Sequence, residues 1–160
     1  MSDNFASIEI PNAKFIFYTN FKGQAGPYND EGDRNFNVVL EGDALRKAEE
    51  YGMNVKHTKP NADGETLAYV KVKIGYKFKA PIVMLINSQC KRQLNESNVG
   101  LVDDYEFDHI DMVIRPNRWR RQDGSSGVNA YLQEFYGVVQ ESSFASKYNT
   151  LEESNGDTPF

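Results

Sequence analysis

Alternating apolar and polar residues recur along most of the chain and predict a protein built mainly from β-strands. Between residues 66 and 76, Val70 and Val72 share one side while Lys71 and Lys73 share the other, which is the period of a half-buried strand. The same pattern, or a short apolar run between turn-forming residues, predicts the other strands. They are expected at residues 7–21, 34–40, 54–59, 78–87, 106–115 and 128–139.

One segment follows a helical period instead. Residues 43–53 carry apolar side chains three to four positions apart, with Asp43 as the expected N-cap and Gly52 as the stop signal. Pro116 is expected to end the strand before it, because proline has no backbone N–H for the sheet ladder. Many short strands with one short helix indicate a β-sandwich or a small, partly open barrel.

The end of the chain has a different composition. From residue 140 onward the periodicity stops, and Ser, Asn, Glu and Asp dominate. Such a segment buries too little apolar surface to offset the entropy lost on ordering, so a disordered acidic tail is expected there. The sequence therefore predicts a folded domain over residues 1–139 and a tail over residues 140–160.

Composition limits the class of protein. With 160 residues, 39% of them hydrophobic, the chain has the size of one domain, and its longest apolar run, residues 81–86, is too short to cross a bilayer. The N-terminus lacks the basic and apolar stretches of a signal peptide, and the single cysteine, Cys90, excludes an intrachain disulfide. We therefore expect a cytoplasmic protein. One cysteine and two histidines do not provide a usual structural zinc site, so neither metal nor cofactor is expected.

Charge is distributed unevenly along the chain. The 18 basic and 23 acidic residues give a net charge of −5. Residues 56–79 nevertheless contain six lysines against two acids, and residues 115–121 contain four arginines and no acid. Residues 96–111 show the opposite, with six acids and no Lys or Arg. Since local potential decides whether a polyanion can bind, the two basic blocks are candidate binding sites.

Tyr69, Lys71 and Lys73 form the first candidate, because residues two apart in a strand share a face. An aromatic ring beside two ammonium groups suits a single nucleic-acid strand, whose bases stack on the ring while its phosphates meet the lysines. The alternative interpretation is the solvated outer face of an amphipathic strand.

The second candidate surrounds the only tryptophan, Trp119. Arginine binds phosphate through paired hydrogen bonds and also stacks on bases, and Trp offers a large stacking surface. The alternative is that Trp119 is a core anchor whose rim the arginines keep soluble. The four arginines are Arg115, Arg118, Arg120 and Arg121.

The third candidate is the acidic end of the chain, where Pro159 and Phe160 follow Glu152, Glu153 and Asp157. A terminal Phe ring can fill an apolar pocket on a partner while the carboxylates meet basic residues. The alternative is an ordinary frayed terminus. A flexible tail of about twenty residues reaches roughly 25 Å, so it could also cover the domain's own basic surface and compete with a polyanion.

The acidic block supports two other hypotheses. Convergent carboxylates hold the metal ions of some nucleases, but Glu106 and Asp108 fall on one side of a strand and Asp111 on the other, which favours a solvated face. The block would also suit a protein-interaction module, such as an acidic DNA mimic that inhibits a host enzyme. No catalytic motif is found, so the chain is expected not to be an enzyme.

Short segments spread over residues 8–139 form a further pattern. They are Ala13-Lys-Phe-Ile-Phe with Asn20-Phe21, Tyr28-Asn29-x-x-Gly32-x-Arg34-Asn35-Phe36, Gly52-Met-Asn-Val55-Lys56, Tyr69-Val-Lys-Val-Lys-Ile, Pro81-Ile-Val, Val99-Gly100-Leu-Val-Asp103, Ile114-Arg115-Pro116-x-x-Trp119 and Gly127-Val-x-Ala130-Tyr131-Leu132. Together they resemble the phage-encoded single-stranded DNA-binding proteins with an OB-fold, the T7-like class.

This resemblance implies an all-β, OB-fold-like domain, with five or more strands in a partly open barrel and one short helix. It also implies sequence-independent binding of single-stranded DNA in a phage replication or recombination module, in the host cytoplasm, by a homodimer. The tail separately resembles the acidic, Phe-terminated end of replication single-stranded DNA-binding proteins, which recruits partners such as a polymerase, helicase or primase. The expected nucleic-acid-binding residues are Arg34, Lys56, Tyr69, Lys71, Lys73, Lys77, Arg115, Arg118, Trp119, Arg120, Arg121 and Tyr131, and the expected partner-binding residues are Glu152, Glu153, Asp157, Pro159 and Phe160.

Overall fold

The computed structural model describes residues 5–27, 29–77 and 79–140 and shows a mainly β chain. Its strands are β1 (Ile8–Ile10), β2 (Phe15–Asn20), β3 (Arg34–Leu40), β4 (Lys56–His57), β5 (Ala68–Ile74), β6 (Ile82–Ile86), β7 (Lys91–Leu94), β8 (Phe107–Arg120) and β9 (Ser126–Val139). The helix α1 (Gly42–Glu50) follows β3, and a 3-10 helix (Val99–Asp104) precedes β8. The expected OB-fold-like class, mainly β with one short α-helix, is confirmed.

The strands form one mixed sheet whose central path runs β1–β8–β9–β5–β3–β2, with β4 added to β5 and the pair β6–β7 added to β9. The short connection between β1 and β2 bonds to both ends of this path. The Ala13 amide donates to the Ile110 carbonyl of β8 (2.7 Å), and the Val39 amide of β3 donates to the Lys14 carbonyl (2.9 Å). The ends therefore meet and the sheet curls into a barrel. It stays partly open between β5 and β9, which pair at two positions.

Aromatic rings fill the interior. Phe21 and Phe36 are fully buried and stack with their ring centroids 5.1 Å apart, while Phe15 stacks on buried Phe135 at 6.1 Å. Phe107 closes the cluster, 5.7 Å from Phe135. Such ring pairs contribute about 0.5–1.5 kcal/mol each beyond the area they bury, so the cluster fixes how β2, β3 and β9 surround the core.

β8 is longer than the sequence indicated. It continues through Pro116 to Arg120, whereas the proline was expected to end it. β1 covers the outer edge of β8 only as far as the pair formed by Ile8 and Ile114. Pro116 therefore stands at an open strand edge, where the missing N–H costs no ladder hydrogen bond. As a result, the residues after the proline also alternate between the two faces of the sheet.

Two other boundaries differ from expectation. α1 has Glu41 rather than Asp43 in the N-cap position. Asp43 lies in the first turn of the helix, where its Oδ1 is 2.5 Å from Nη2 of Arg46. The segment 88–100, for which no strand was predicted, contains β7. The polar sequence of that strand carries no apolar alternation, so pattern analysis could not find it.

Candidate nucleic-acid interface

β5 presents its polar side to solvent. Val70 and Val72 are buried, whereas Lys71 is exposed and Tyr69 and Lys73 are half-buried. Since successive side chains of a strand point to opposite faces, the three residues of the first candidate lie together on the outer face of the barrel wall.

Strand register brings part of the second candidate onto the same face. Lys73 pairs with Tyr131 of β9, and Tyr131 pairs with Arg115 of β8. Residues paired across neighbouring strands share a face, so the three side chains form a row across β5, β9 and β8. The Arg115 guanidinium lies 5.4 Å from the centroid of the Tyr131 ring, which is within cation–π range.

Trp119 lies on this face near the end of β8. It pairs with Gly127 of β9, and its indole rests on that glycine so closely that an added Cβ would stand 2.7 Å from Cζ2. The Arg121 guanidinium lies 5.0 Å from the ring centroid. Trp119 is half-buried, so it rests on the outer side of the sheet and is not sealed in the core.

A cavity of about 460 Å³ opens beside the row of Lys73, Tyr131 and Arg115. Cationic side chains surround a tyrosine wall in this cavity, an arrangement that suits a phosphate held next to a stacked base. The lining residues are Gly75, Lys77, Lys79, Arg115, Asn117 and Tyr131.

A second, smaller cavity of about 110 Å³ lies where β5 and β9 separate, and Lys56, Lys71 and Lys73 flank it. Lys56 pairs with Tyr69 across β4 and β5, so it belongs to the same face. We call this surface the basic–aromatic face. It comprises Lys56, Tyr69, Lys71, Lys73, Lys77, Arg115, Trp119, Arg121 and Tyr131, nine of the twelve residues expected to bind nucleic acid.

The structure does not bring the other three onto this face. Arg34 points to the inner side of β3, where its Nε donates to the Phe21 carbonyl (3.0 Å) and its Nη1 lies 3.8 Å from a Glu96 oxygen. Arg118 lies over the Phe5 ring, 5.4 Å from its centroid. Arg118 and Arg120 alternate with Trp119 along β8, so both fall on the opposite side of the strand.

Acidic side chains of the block 96–111 form hydrogen bonds and ion pairs within the fold. The Asp103 carboxylate accepts hydrogen bonds from the Thr19 hydroxyl (2.6 Å) and the backbone amides of Phe21 and Lys22 (both 2.9 Å). It therefore joins the 3-10 helix to the end of β2. Asp104 forms an ion pair with the Lys22 ammonium at 2.6 Å.

The far end of the block is paired as well. Asp111 accepts from the Asn12 amide (3.0 Å) and lies 2.8 Å from His109 Nε2. Partial burial opposes ionisation of Asp111, but these two hydrogen bonds outweigh it and lower the pKa of the carboxyl below its ordinary value. Within residues 5–27, 29–77 and 79–140, no three His, Cys, Asp or Glu side chains are grouped to hold a metal ion.

Tyr76 follows β5 and is half-buried. Burial raises the pKa of its phenol to about 12, because the phenolate is disfavoured away from water. Its hydroxyl is buried and finds no hydrogen-bond partner among the described residues. The phenol therefore stays neutral at physiological pH, and the side chain packs against the hydrophobic core.

Three polar residues beside this face were not among the twelve expected to bind nucleic acid. Lys79 lines the larger cavity but lies outside the alternating part of β5. Asn117 and Asn129 face each other across β8 and β9, one step along from the row that contains Arg115. Asn117 is two residues after Arg115, a spacing that places both on one face of a strand. This was not predicted, because Pro116 was expected to end the strand.

The tail residues singled out from the sequence, Glu152, Glu153, Asp157, Pro159 and Phe160, lie outside the described residues. Among the helices in the described part of the chain, none has the length and apolar character needed to span a membrane.

Known proteins resemble this chain in fold and in sequence. The single-stranded DNA-binding protein from bacteriophage Enc34 superposes with a TM-score of 0.52 at 15% identity, covering 85% of this chain and 82% of that chain. The same protein in complex with ssDNA gives a TM-score of 0.53 at 12% identity, covering 85% and 88%. The crystal structure of gp2.5, a single-stranded DNA-binding protein encoded by bacteriophage T7, gives a TM-score of 0.42 at 11% identity, covering 96% and 98%. No curated protein matches the sequence significantly.

At these identities the Enc34 structures establish a shared fold. The sequence itself is matched over residues 3–158 by the family model described as a putative phage ssDNA-binding domain. The match spans nearly the whole chain and confirms the resemblance noted from the sequence segments. The chain therefore belongs to the phage ssDNA-binding domain family.

Proposed function

We propose that this protein binds single-stranded DNA through the basic–aromatic face, without sequence preference, and so protects unpaired strands in a phage replication or recombination module. The observation that supports it most directly is the row of Lys73, Tyr131 and Arg115 beside the 460 Å³ cavity. Membership of the family and the ssDNA complex of the Enc34 protein support the same proposal.

The chemistry of the face explains how binding would work. Tyr131 and Trp119 offer ring surfaces on which bases stack, at about 1–3 kcal/mol per base, and every base has such a surface. Lysine and arginine groups on both sides of these rings neutralise the phosphates. Because neither contact reads base edges, similar affinities are expected for different sequences.

The decisive experiment is an anisotropy titration of labelled oligo-dT at several salt concentrations. Each phosphate neutralised on a single strand lowers log K by about 0.7 per decade of salt, so engagement of five cations predicts a slope near −3.5. A mixed-sequence oligonucleotide should bind within about tenfold of oligo-dT. Arg46→Ala, which removes an exposed cation from α1, is the matched control and should leave the slope unchanged. A slope near zero would reject the proposal.

We further propose that Phe160, with the acids Glu152, Glu153 and Asp157, docks replication or recombination proteins and competes with DNA for the basic–aromatic face. Deleting residues 140–160 removes a competing polyanion. Truncation should therefore tighten oligo-dT binding and abolish capture of a polymerase, helicase or primase from the same phage. Truncation that leaves both properties unchanged would refute this role. The homodimer implied by the resemblance is a separate proposal, which sedimentation equilibrium tests directly.

The alternative of an acidic DNA mimic has less support. Asp103, Asp104 and Asp111 are occupied by hydrogen bonds and ion pairs within the fold, so they do not form a free row of charges. A mimic would show no binding to oligo-dT in either the full-length or the truncated form. A nuclease would cleave DNA in magnesium or manganese, which a gel assay would reveal.

A further inference from the structure

An exposed aromatic pair on β2 stands at the side of the sheet away from Trp119. Phe17 is 61% exposed and Tyr18 is 72% exposed. The Phe17 ring meets the Tyr69 ring at 83°, with their centroids 5.1 Å apart. Tyr69 belongs to the basic–aromatic face, so Phe17 extends that face towards β2.

The backbone at Phe17 is strained. Its φ is +63°, in the left-handed region that residues with a Cβ rarely adopt. The pairing of β2 with β3 is interrupted at the same place, between Ile16 and Asn20. Core packing does not explain the strain, since the ring is mostly exposed. Backbone strain of this kind is often found where a side chain is held for binding.

We propose that Phe17 and Tyr69 form a corner that receives one unpaired nucleobase, stacked on one ring with its edge against the other. This inference rests on the proposed function and extends it, because it assigns a base-stacking position to β2. The bound strand would then cross the β-strands from Trp119 to Phe17 and would not run along β5 alone.

The dimensions of the sheet agree with such a path. From β2 to β8 the path passes through β3, β5 and β9, which makes four inter-strand spacings, or about 19 Å at about 4.8 Å each. One strand of duplex DNA advances about 3.4 Å per nucleotide, and an unpaired strand can extend further. The face therefore accommodates at most about six nucleotides between its two aromatic ends.

Phe17→Gly separates binding from stability. Glycine accepts a positive φ without strain, so the variant should melt at the same temperature as the parent or higher. Loss of one stacked base should weaken oligo-dT binding by about 5- to 150-fold. Phe17→Asn is the control for loosening of β2 by glycine, because asparagine also tolerates the left-handed region. It should show the same loss of oligo-dT affinity. Phe17→Trp keeps an aromatic ring at this position and should bind oligo-dT with the affinity of the parent protein.

The outcomes distinguish this inference from the proposed function. Absence of salt-dependent oligo-dT binding by the parent protein would reject the proposed function itself. Parent binding with unchanged affinity in Phe17→Gly and Phe17→Asn would reject only the role of Phe17. A lower melting temperature in both variants with unchanged affinity would also reject it, because the ring would then serve the fold. If the path crosses the sheet, combining Phe17→Gly with Trp119→Ala should multiply their separate losses, since distant sites act independently.

Discussion

Gly127→Ala tests whether the Trp119 ring contacts bound single-stranded DNA. A Cβ at this position would stand 2.7, 2.8 and 2.9 Å from indole Cζ2, Cε2 and Nε1. To reach a favourable contact distance of about 3.5–4.0 Å, the ring must move by roughly 1 Å. The substitution therefore displaces the stacking surface without removing the ring or any charge.

The structure indicates how the cost divides between folding and binding. Trp119 is half-buried at the outer side of the sheet, so its ring can swing outward. The loss of stability should therefore lie near the lower end of the 1–3 kcal/mol seen for overpacking, or about 2–4 °C in melting temperature. Binding should lose up to the value of one stacked base, about 1–3 kcal/mol, which corresponds to a 5- to 150-fold weaker Kd.

Fluorescence follows the ring directly, because Trp119 is the only tryptophan in the chain. In the parent protein, oligo-dT should quench its emission. In Gly127→Ala the emission should shift to longer wavelength, the quenching should decrease, and the anisotropy titration should give the weaker Kd. Ser126→Ala, at the neighbouring position on the other side of β9, is the control and should change neither. A shifted emission with an unchanged Kd would show that the ring does not contact DNA.

Three further substitutions test separate parts of the protein. Lys71→Ala should reduce the salt slope of oligo-dT binding by about 0.7, the contribution of one phosphate, whereas an unchanged slope would remove Lys71 from the interface. Asp103→Asn weakens the acceptor of three hydrogen bonds and should lower the free energy of unfolding by about 2 kcal/mol in a urea titration. The folded variant should still bind oligo-dT. A loss of stability below about 0.5 kcal/mol would show that Asp103 does not join the 3-10 helix to β2. Tyr76→Phe removes a buried hydroxyl that lacks a partner among the described residues and should stabilise the protein by about 1 kcal/mol at neutral pH. Because the raised pKa of about 12 favours the folded state only while the phenol is protonated, stability of the parent should fall between pH 10 and 12, and the variant should lose less over that range.

The sequence predicted which side chains share the candidate face best where strand alternation was uninterrupted. In β5 the period of two separates Val70 and Val72 from Lys71 and Lys73, and the structure has the same division. Alternation states which residues share a face, but it does not state which strands are neighbours. The pairing of Lys73 with Tyr131, 58 positions later in the chain, depends on sheet topology and could not be read from local pattern.

The arginines around Trp119 show the opposite case. If β8 ended before Pro116, all the arginines after it would lie in a loop and could reach one ligand together. Because the strand continues, Arg118 and Arg120 turn away from the ring. Arg121 lies beyond the end of the strand and returns to Trp119. Whether a proline interrupts a strand depends on whether its edge is covered, and that information belongs to the tertiary structure.

Segregation of charge explains how a chain of net charge −5 can bind a polyanion. Asp111 is four residues from Arg115 along β8, which places it about 13 Å away at the rise of a strand. At physiological salt the Debye length is about 8 Å, so a phosphate bound at Arg115 experiences that cation more strongly than it experiences Asp111. At 0.01 M salt the Debye length grows to about 30 Å, and the whole negative charge of the protein then opposes binding. The log–log salt plot should therefore flatten below about 0.01 M. A plot that stays linear to that concentration would show that the acids do not influence the bound strand.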